Sequence, residues 1–268
     1  MNVPHYDVID RAQPGAEWVT LLHGSSQHSG LFESQIDDLG DRFRLLLIDF
    51  PGHGRSSHLA GPYGQVEYAR AVVAALDVVD VQRTHLWGTH TGSAISLLIA
   101  SQQPDRVSTL ILEGAVLPGM RMRYVSRVIA RVRATAREHG MAAARAEWFA
   151  DCRWFDVMRC RPIECRADAH RDLLEAFTGD PWVGTLLPAE VPSLVGELSR
   201  IQQPALLVNG EFDVPEFLKV AAVLRSGLPC VRQIIVPGAG GFPLWEFPSI
   251  VNPLVVNFLA GHSGSQCR

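Results

Sequence analysis

Short apolar runs closed by turn residues alternate with helix-length amphipathic stretches along this chain, and that alternation constrains the fold more than any other feature. The runs cover residues 18–22, 43–48, 85–87, 110–112, 205–208 and 234–236. Runs so short and so continuously apolar suit strands buried on both faces of a parallel sheet. Between them, residues 66–79, 91–101, 216–228 and 250–259 carry the spacing of covering helices. Strand–helix alternation of this kind predicts a doubly wound α/β fold. It lapses between about Pro118 and Glu197, a stretch rich in arginine and aromatic residues with no strand pattern. Lying between consecutive strands, this insertion is expected to sit over the carboxyl ends of the sheet, where open α/β folds bind ligands. The expected division is a core of residues 1–117 and 198–268 and a helical lid of residues 118–197.

Composition removes several classes of function. The 268 residues carry a net charge of -4, so no overall positive field favours nucleic acid or an anionic membrane surface. No run reaches the roughly 18 apolar residues of a membrane span. The first ten residues, MNVPHYDVID, lack the basic and apolar regions of a secretory signal. The five cysteines, Cys152, Cys160, Cys165, Cys230 and Cys267, are odd in number and irregularly spaced, which suits neither a disulfide framework nor a zinc site. A reducing cytoplasm is the expected location, with no metal and no cofactor. Lys219 is the only lysine among 24 basic residues, a bias that first of all reads as the coding habit of a GC-rich bacterial genome.

Three strands run into glycine-bearing loops at one edge of the expected sheet. The first leads to His23-Gly24-Ser25-Ser26 and the second to Asp49-Phe50-Pro51-Gly52-His53-Gly54-Arg55-Ser56-Ser57. The third ends in Gly88-Thr89-His90-Thr91-Gly92 and passes at once into a helix. Further on come Gly210-Glu211-Phe212-Asp213 and Pro237-Gly238-Ala239-Gly240-Gly241-Phe242-Pro243, each after a strand. In this order and spacing the motifs resemble the α/β-hydrolase fold family over nearly the whole chain. The resemblance implies a mostly parallel sheet flanked by helices, with a helical lid between strands.

The departures from that pattern carry the functional reading. The middle of the family's G-x-S-x-G elbow holds a nucleophilic serine, and that position here is His90. The family's late histidine matches Gly241, while its acid position is kept as Asp213. Ser93, one residue past the elbow, is expected to point into the helix and makes a poor nucleophile. Histidine tolerates the positive φ of an elbow better than most bulky residues do. The resemblance therefore implies a base at His90, oriented by Asp213 or by Glu113 at the end of the next strand. The oxyanion donors would be the backbone amides of Ser25 and Thr91. Ser26, His28, Gly241, Phe242 and Trp245 are the expected pocket residues, and His23 and His53 the structural histidines. Trp148, Phe149, Trp154 and Phe155 form either the lid's own core or an apolar tunnel.

Such a site implies base-assisted chemistry on a carbonyl-containing small molecule: elimination, cyclisation, C–C cleavage or cofactor-free oxygenation. Two alternatives stand beside it. One is a hydrolase or acyltransferase that uses His90 or a rearranged triad. The other is a non-catalytic descendant that binds a ligand or partner, with His90 a space-filling remnant. Arg121, Arg123, Arg127, Arg131, Arg133 and Arg137 follow one another in the lid with no acid between Glu113 and Glu138. They form a solvated face or a docking surface for an anionic substrate or an acidic carrier protein.

Overall fold

A computed structural model describes residues 3–263, so Cys267 lies outside the described residues. Seven strands form one sheet in the order β1-β3-β2-β4-β5-β6-β7. They are β1 (Tyr6–Ile9), β2 (Trp18–Leu22), β3 (Arg44–Ile48), β4 (Thr84–Thr89), β5 (Val107–Glu113), β6 (Ala205–Gly210) and β7 (Val231–Val236). All pairings are parallel except β1 with β3. Every residue of β2, β4 and β6 is buried, as expected of central strands covered on both faces. The antiparallel β1 was not foreseen, because its partly exposed edge position leaves only a short, mixed pattern.

Helices α1 (Glu33–Gly40), α2 (Gln65–Val78), α3 (Thr91–Gln102), α8 (Pro215–Gly227), α9 (Pro243–Glu246) and α10 (Pro248–Ala260) belong to the core. Between β5 and β6 the chain forms α4 (Arg123–Asp151), α5 (Asp156–Cys160), α6 (Ala167–Glu175) and α7 (Asp180–Val183). Helix α4 is broken at Gly140, whose φ of 85° and ψ of 168° no helix accommodates. Its two arms fold back on each other, so that Arg131 pairs with both Glu147 and Asp151. Trp148, Trp154 and Phe155 are buried and meet edge to face within this layer. No helix among the described residues is long and apolar enough to cross a membrane.

The layer is fastened to the core at several points. The Trp245 indole donates to the Cys165 carbonyl at 2.8 Å, and Arg166 lies over the same ring. Gln27, in the loop after β2, bonds His170 of α6 at 3.0 Å. Glu216, in the first turn of α8, accepts the Tyr124 and Val125 amides at 2.9 and 3.1 Å. Those amides belong to the first turn of α4 and would otherwise be orphaned, so Glu216 caps that helix from another element.

Candidate active site

The turn from β4 into α3 forms because two glycines let helix and strand approach closely. A Cβ on Gly88 would lie 2.3 Å from the Gly92 carbonyl group, and one on Gly92 would lie 2.0 Å from the Leu22 carbonyl oxygen. His90 takes the sharp corner, with φ 47° and ψ -110°. A positive φ at a bulky residue is strained, and it persists because neighbours fix both sides of the turn. The His90 amide donates to the Glu113 carbonyl at 2.9 Å, and its own carbonyl accepts from the Ser93 amide. Ser93 Oγ bonds that carbonyl and the Val116 amide, at 2.5 and 2.9 Å, so its hydroxyl is spent on holding the turn.

The His90 ring lies across the strand ends, between Gly24 and Gly114 and against Phe217 and Phe242 at 4.9 and 4.6 Å. Nδ1 stands 3.1 Å from Thr89 Oγ1. Nε2 is buried without a hydrogen-bond partner among the described residues and packs over Gly114. Burial lowers the ring's pKa to about 3, so it is neutral at ordinary pH. Ser25 and Thr91 line the same cavity as His90, together with Gln27, Phe217, Phe242 and lid residues including Trp148 and Trp154. The lid tryptophans therefore serve both as packing within the lid and as roof of the cavity. Its volume is about 50 Å³. That holds a few water molecules and falls well short of a pocket that encloses an ordinary organic ligand.

Neither expected orienter places its carboxylate in hydrogen-bond contact with the His90 ring. Asp213 accepts from Asn209 Nδ2 and the Val214 amide, at 2.9 and 2.7 Å, and lines a separate outer cleft with Arg153 and Arg161. Burial raises its pKa to about 7. Glu113 accepts the Leu244 amide at 3.1 Å and the Thr89 hydroxyl at 3.5 Å. Burial pushes Glu113 well above the usual carboxylate range, and the nearby acids Glu246 and Asp213 add to the shift. Glu246 completes this group. It accepts the Gly240 amide at 2.5 Å, and burial raises its pKa to about 7. Among the described residues Thr89 is thus the only side chain hydrogen-bonded to the His90 ring, and it links that ring to Glu113.

Four of the expected pocket residues also fall elsewhere. Gly241 leaves no space, because a Cβ there would lie 2.5 Å from Trp154 Cβ and 2.8 Å from the Trp154 carbonyl oxygen. The lid fills that volume. His28 accepts the Gly30 amide as the cap of a short 3-10 turn, which carries its ring into a second cleft beside Asp49 and Arg55. Ser26 is buried and bonds the Ser25 carbonyl, and Trp245 is spent on Cys165. Phe242 alone of the five lines the cavity.

Sequence reasoning missed Thr89, Gln27, His170 and Glu246. His170 is fully buried among Phe155, Phe242 and Trp245, and its pKa is lowered to about 3, chiefly by burial. Its Nδ1 and Gln27 Oε1 are buried without hydrogen-bond partners among the described residues. Among the described residues no group of three or more His, Cys, Asp or Glu side chains is arranged to hold a metal ion.

A model of the alpha/beta hydrolase fold family matches residues 17–151. The chain belongs to that family. It is 28% identical over 260 residues to 2-hydroxy-6-oxononadienedioate/2-hydroxy-6-oxononatrienedioate hydrolase of Escherichia coli K12, covering 92% of this chain and 88% of the relative. Among solved structures it resembles the enol-lactonase from Burkholderia xenovorans LB400, with a TM-score of 0.82, 22% identity and 96% coverage of each chain. It also resembles MenH from S. aureus, with a TM-score of 0.81, 20% identity and coverage of 97% and 99%. At these identities the two structures speak to the fold.

Proposed function

We propose that this α/β-hydrolase-fold protein is an enzyme acting on a carbonyl-containing small molecule without a serine nucleophile. Its polar group would be the His90 imidazole, in the place that the family's elbow pattern gives to serine. The single observation that carries the reading is a neutral imidazole at a positive-φ corner, sharing one cavity with Ser25 and Thr91. The amides of those two residues would receive the carbonyl oxygen and stabilise the negative charge that develops there. Helix α3 begins at Thr91, so its N-terminal dipole adds to that field. The relative that cleaves 2-hydroxy-6-oxononadienedioate supports a carbonyl substrate. Enolisation, followed by elimination or C–C cleavage, is the reaction class this arrangement serves best.

The cavity of about 50 Å³ requires the lid to shift before such a substrate enters. On its outer face, Arg131, Arg133 and Arg137 are spent on Glu147, Asp151 and the carbonyls of Pro181 and Trp182. Arg121, Arg123 and Arg127 are exposed and make no ion pair among the described residues. An anionic substrate or an acidic carrier protein would meet these three.

A second reading, a ligand-binding descendant without chemistry, is favoured by the burial of His90 Nε2 against Gly114. The deciding experiment offers the protein esters, lactones, enolisable ketones and 2-hydroxy-6-oxo-dienoates in D2O and follows cleavage and deuterium uptake beside the carbonyl by NMR. Turnover that falls at least about 100-fold in His90→Gln supports the enzyme reading. Saturable binding without turnover supports the second. Ester hydrolysis indifferent to His90→Gln contradicts both.

A further inference from the structure

The Thr89 hydroxyl lies between two groups that each want its hydrogen bond, 3.1 Å from His90 Nδ1 and 3.5 Å from Glu113 Oε1. One hydroxyl carries one proton, so it donates to only one of them and accepts from the other. Glu113 Oε2 is engaged by the Leu244 amide, which leaves Oε1 as the oxygen facing Thr89. We propose that Thr89 relays the proton of Glu113 to His90, so that Glu113 decides which ring nitrogen of His90 carries hydrogen. Thr89 and Glu113 are positioning residues for the imidazole, and their bearing on catalysis rests on the functional reading above.

With Glu113 protonated, Oε1–H donates to Thr89 Oγ1, Thr89 donates to Nδ1, and the ring proton sits on Nε2. With Glu113 ionised, Thr89 donates to Oε1, Nδ1–H donates to Thr89, and Nε2 presents its lone pair. The two arrangements differ by one proton, and that proton leaves from Nε2. Delivering it to a substrate atom moves the Thr89 hydrogen to Nδ1 and the Glu113 hydrogen to Thr89. No bond between heavy atoms breaks, and the negative charge ends on Glu113. In reverse, the chain takes a proton from substrate at Nε2. An imidazolium is never formed, so a ring as weakly basic as this one can still transfer protons near neutrality.

The groups that bias the chain come from several elements. Glu246 on α9 and Asp213 after β6 are acids that disfavour ionisation of Glu113. His170 on α6 is neutral, its pKa lowered chiefly by burial and further by His90 and Arg166. Nitrogen-15 NMR of the histidine rings tests the relay without any substrate, with His90 assigned by loss of its signals in His90→Gln. An Asp213→Asn, Glu246→Gln background isolates Glu113. From about pH 5 to about pH 10 the ring stays neutral, so only the tautomer can change. The expected result is Nε2–H while Glu113 is protonated, with the proton moving to Nδ1 as the Glu113 carboxyl signal titrates. Glu113→Gln should hold Nε2–H throughout, Thr89→Ser should follow the parent, and Thr89→Val should lose the response. A proton on Nδ1 while Glu113 is protonated, or a Thr89→Val ring that still follows Glu113, overturns the proposal. Since no turnover is read, failure of the relay and failure of the functional reading are separate results.

Discussion

His23 and His90 are neutral, buried imidazoles at the same edge of the sheet, and they are held in opposite ways. His23 Nδ1 lies 2.7 Å from the Gly24 carbonyl oxygen, and its Nε2 accepts the Phe50 amide at 3.0 Å. A carbonyl cannot donate and an amide cannot accept, so the tautomer of His23 is fixed. His90 has one nitrogen against a hydroxyl that can donate or accept, and one nitrogen with no partner. The acids near them divide likewise. The Asp49 carboxylate receives the Ser29 and Arg55 amides at 2.7 and 2.9 Å, and its pKa is lowered by His23 and these amides against the opposing effect of burial. Glu113, Asp213 and Glu246 are raised, because burial outweighs the few donors they have. Backbone partners make a rivet of the first group. The second is left able to change its protons.

The largest expected effect breaks the rivet. His23→Ala leaves the Phe50 amide unpaired and opens space beside Phe50, and should cost about 2–4 kcal/mol in urea unfolding. His90→Ala should stay within about 1 kcal/mol, because lost packing is offset by removing a buried nitrogen without a partner.

Next comes pH. Carboxyls whose pKa is raised in the fold contribute stability that is full below about pH 4 and fades as pH rises through about 7 for Asp213 and Glu246. Histidines lowered to about 3 or 4, namely His23, His53, His90 and His170, act oppositely. Their stability is present above about pH 6.5 and is lost as pH falls towards 3–4. Thermal unfolding should therefore show a maximum near about pH 6–7, with an alkaline decline of roughly 2–3 kcal/mol that Asp213→Asn with Glu246→Gln reduces.

A smaller effect tests the lid. Gly241→Ala forces a Cβ against Trp154 and should cost about 1–3 kcal/mol, with a change in tryptophan fluorescence. The smallest is Glu216→Gln, which weakens the cap on α4 by about 0.5–1 kcal/mol and should raise amide exchange at Tyr124 and Val125.

The fold was legible because burial on both faces writes continuous apolar runs, and glycines mark where strand and helix must touch. Residues 18–22 and the helix start at Thr91 stand as read. The corner at His90 was legible too, from Gly88 and Gly92. Its surroundings were not. His170 reaches the site only when α6 docks on Gln27, and Trp154 fills the space at Gly241 only because the lid descends there. Contacts between residues so far apart in the chain leave no local pattern. Thr89 was within reach of sequence reasoning, since a hydroxyl beside an elbow histidine is a ready partner for its ring. The family's acid position points to Asp213, which the fold places in a separate cleft, whereas Glu113 is the acid that Thr89 joins to the ring.

The most direct measurement is kcat/KM for the parent and His90→Gln on whichever carbonyl compound the parent turns over fastest. A loss of about 10²–10⁴-fold, with folding stability unchanged, is the predicted result. Equal turnover by the two proteins would contradict the central role given to the His90 imidazole.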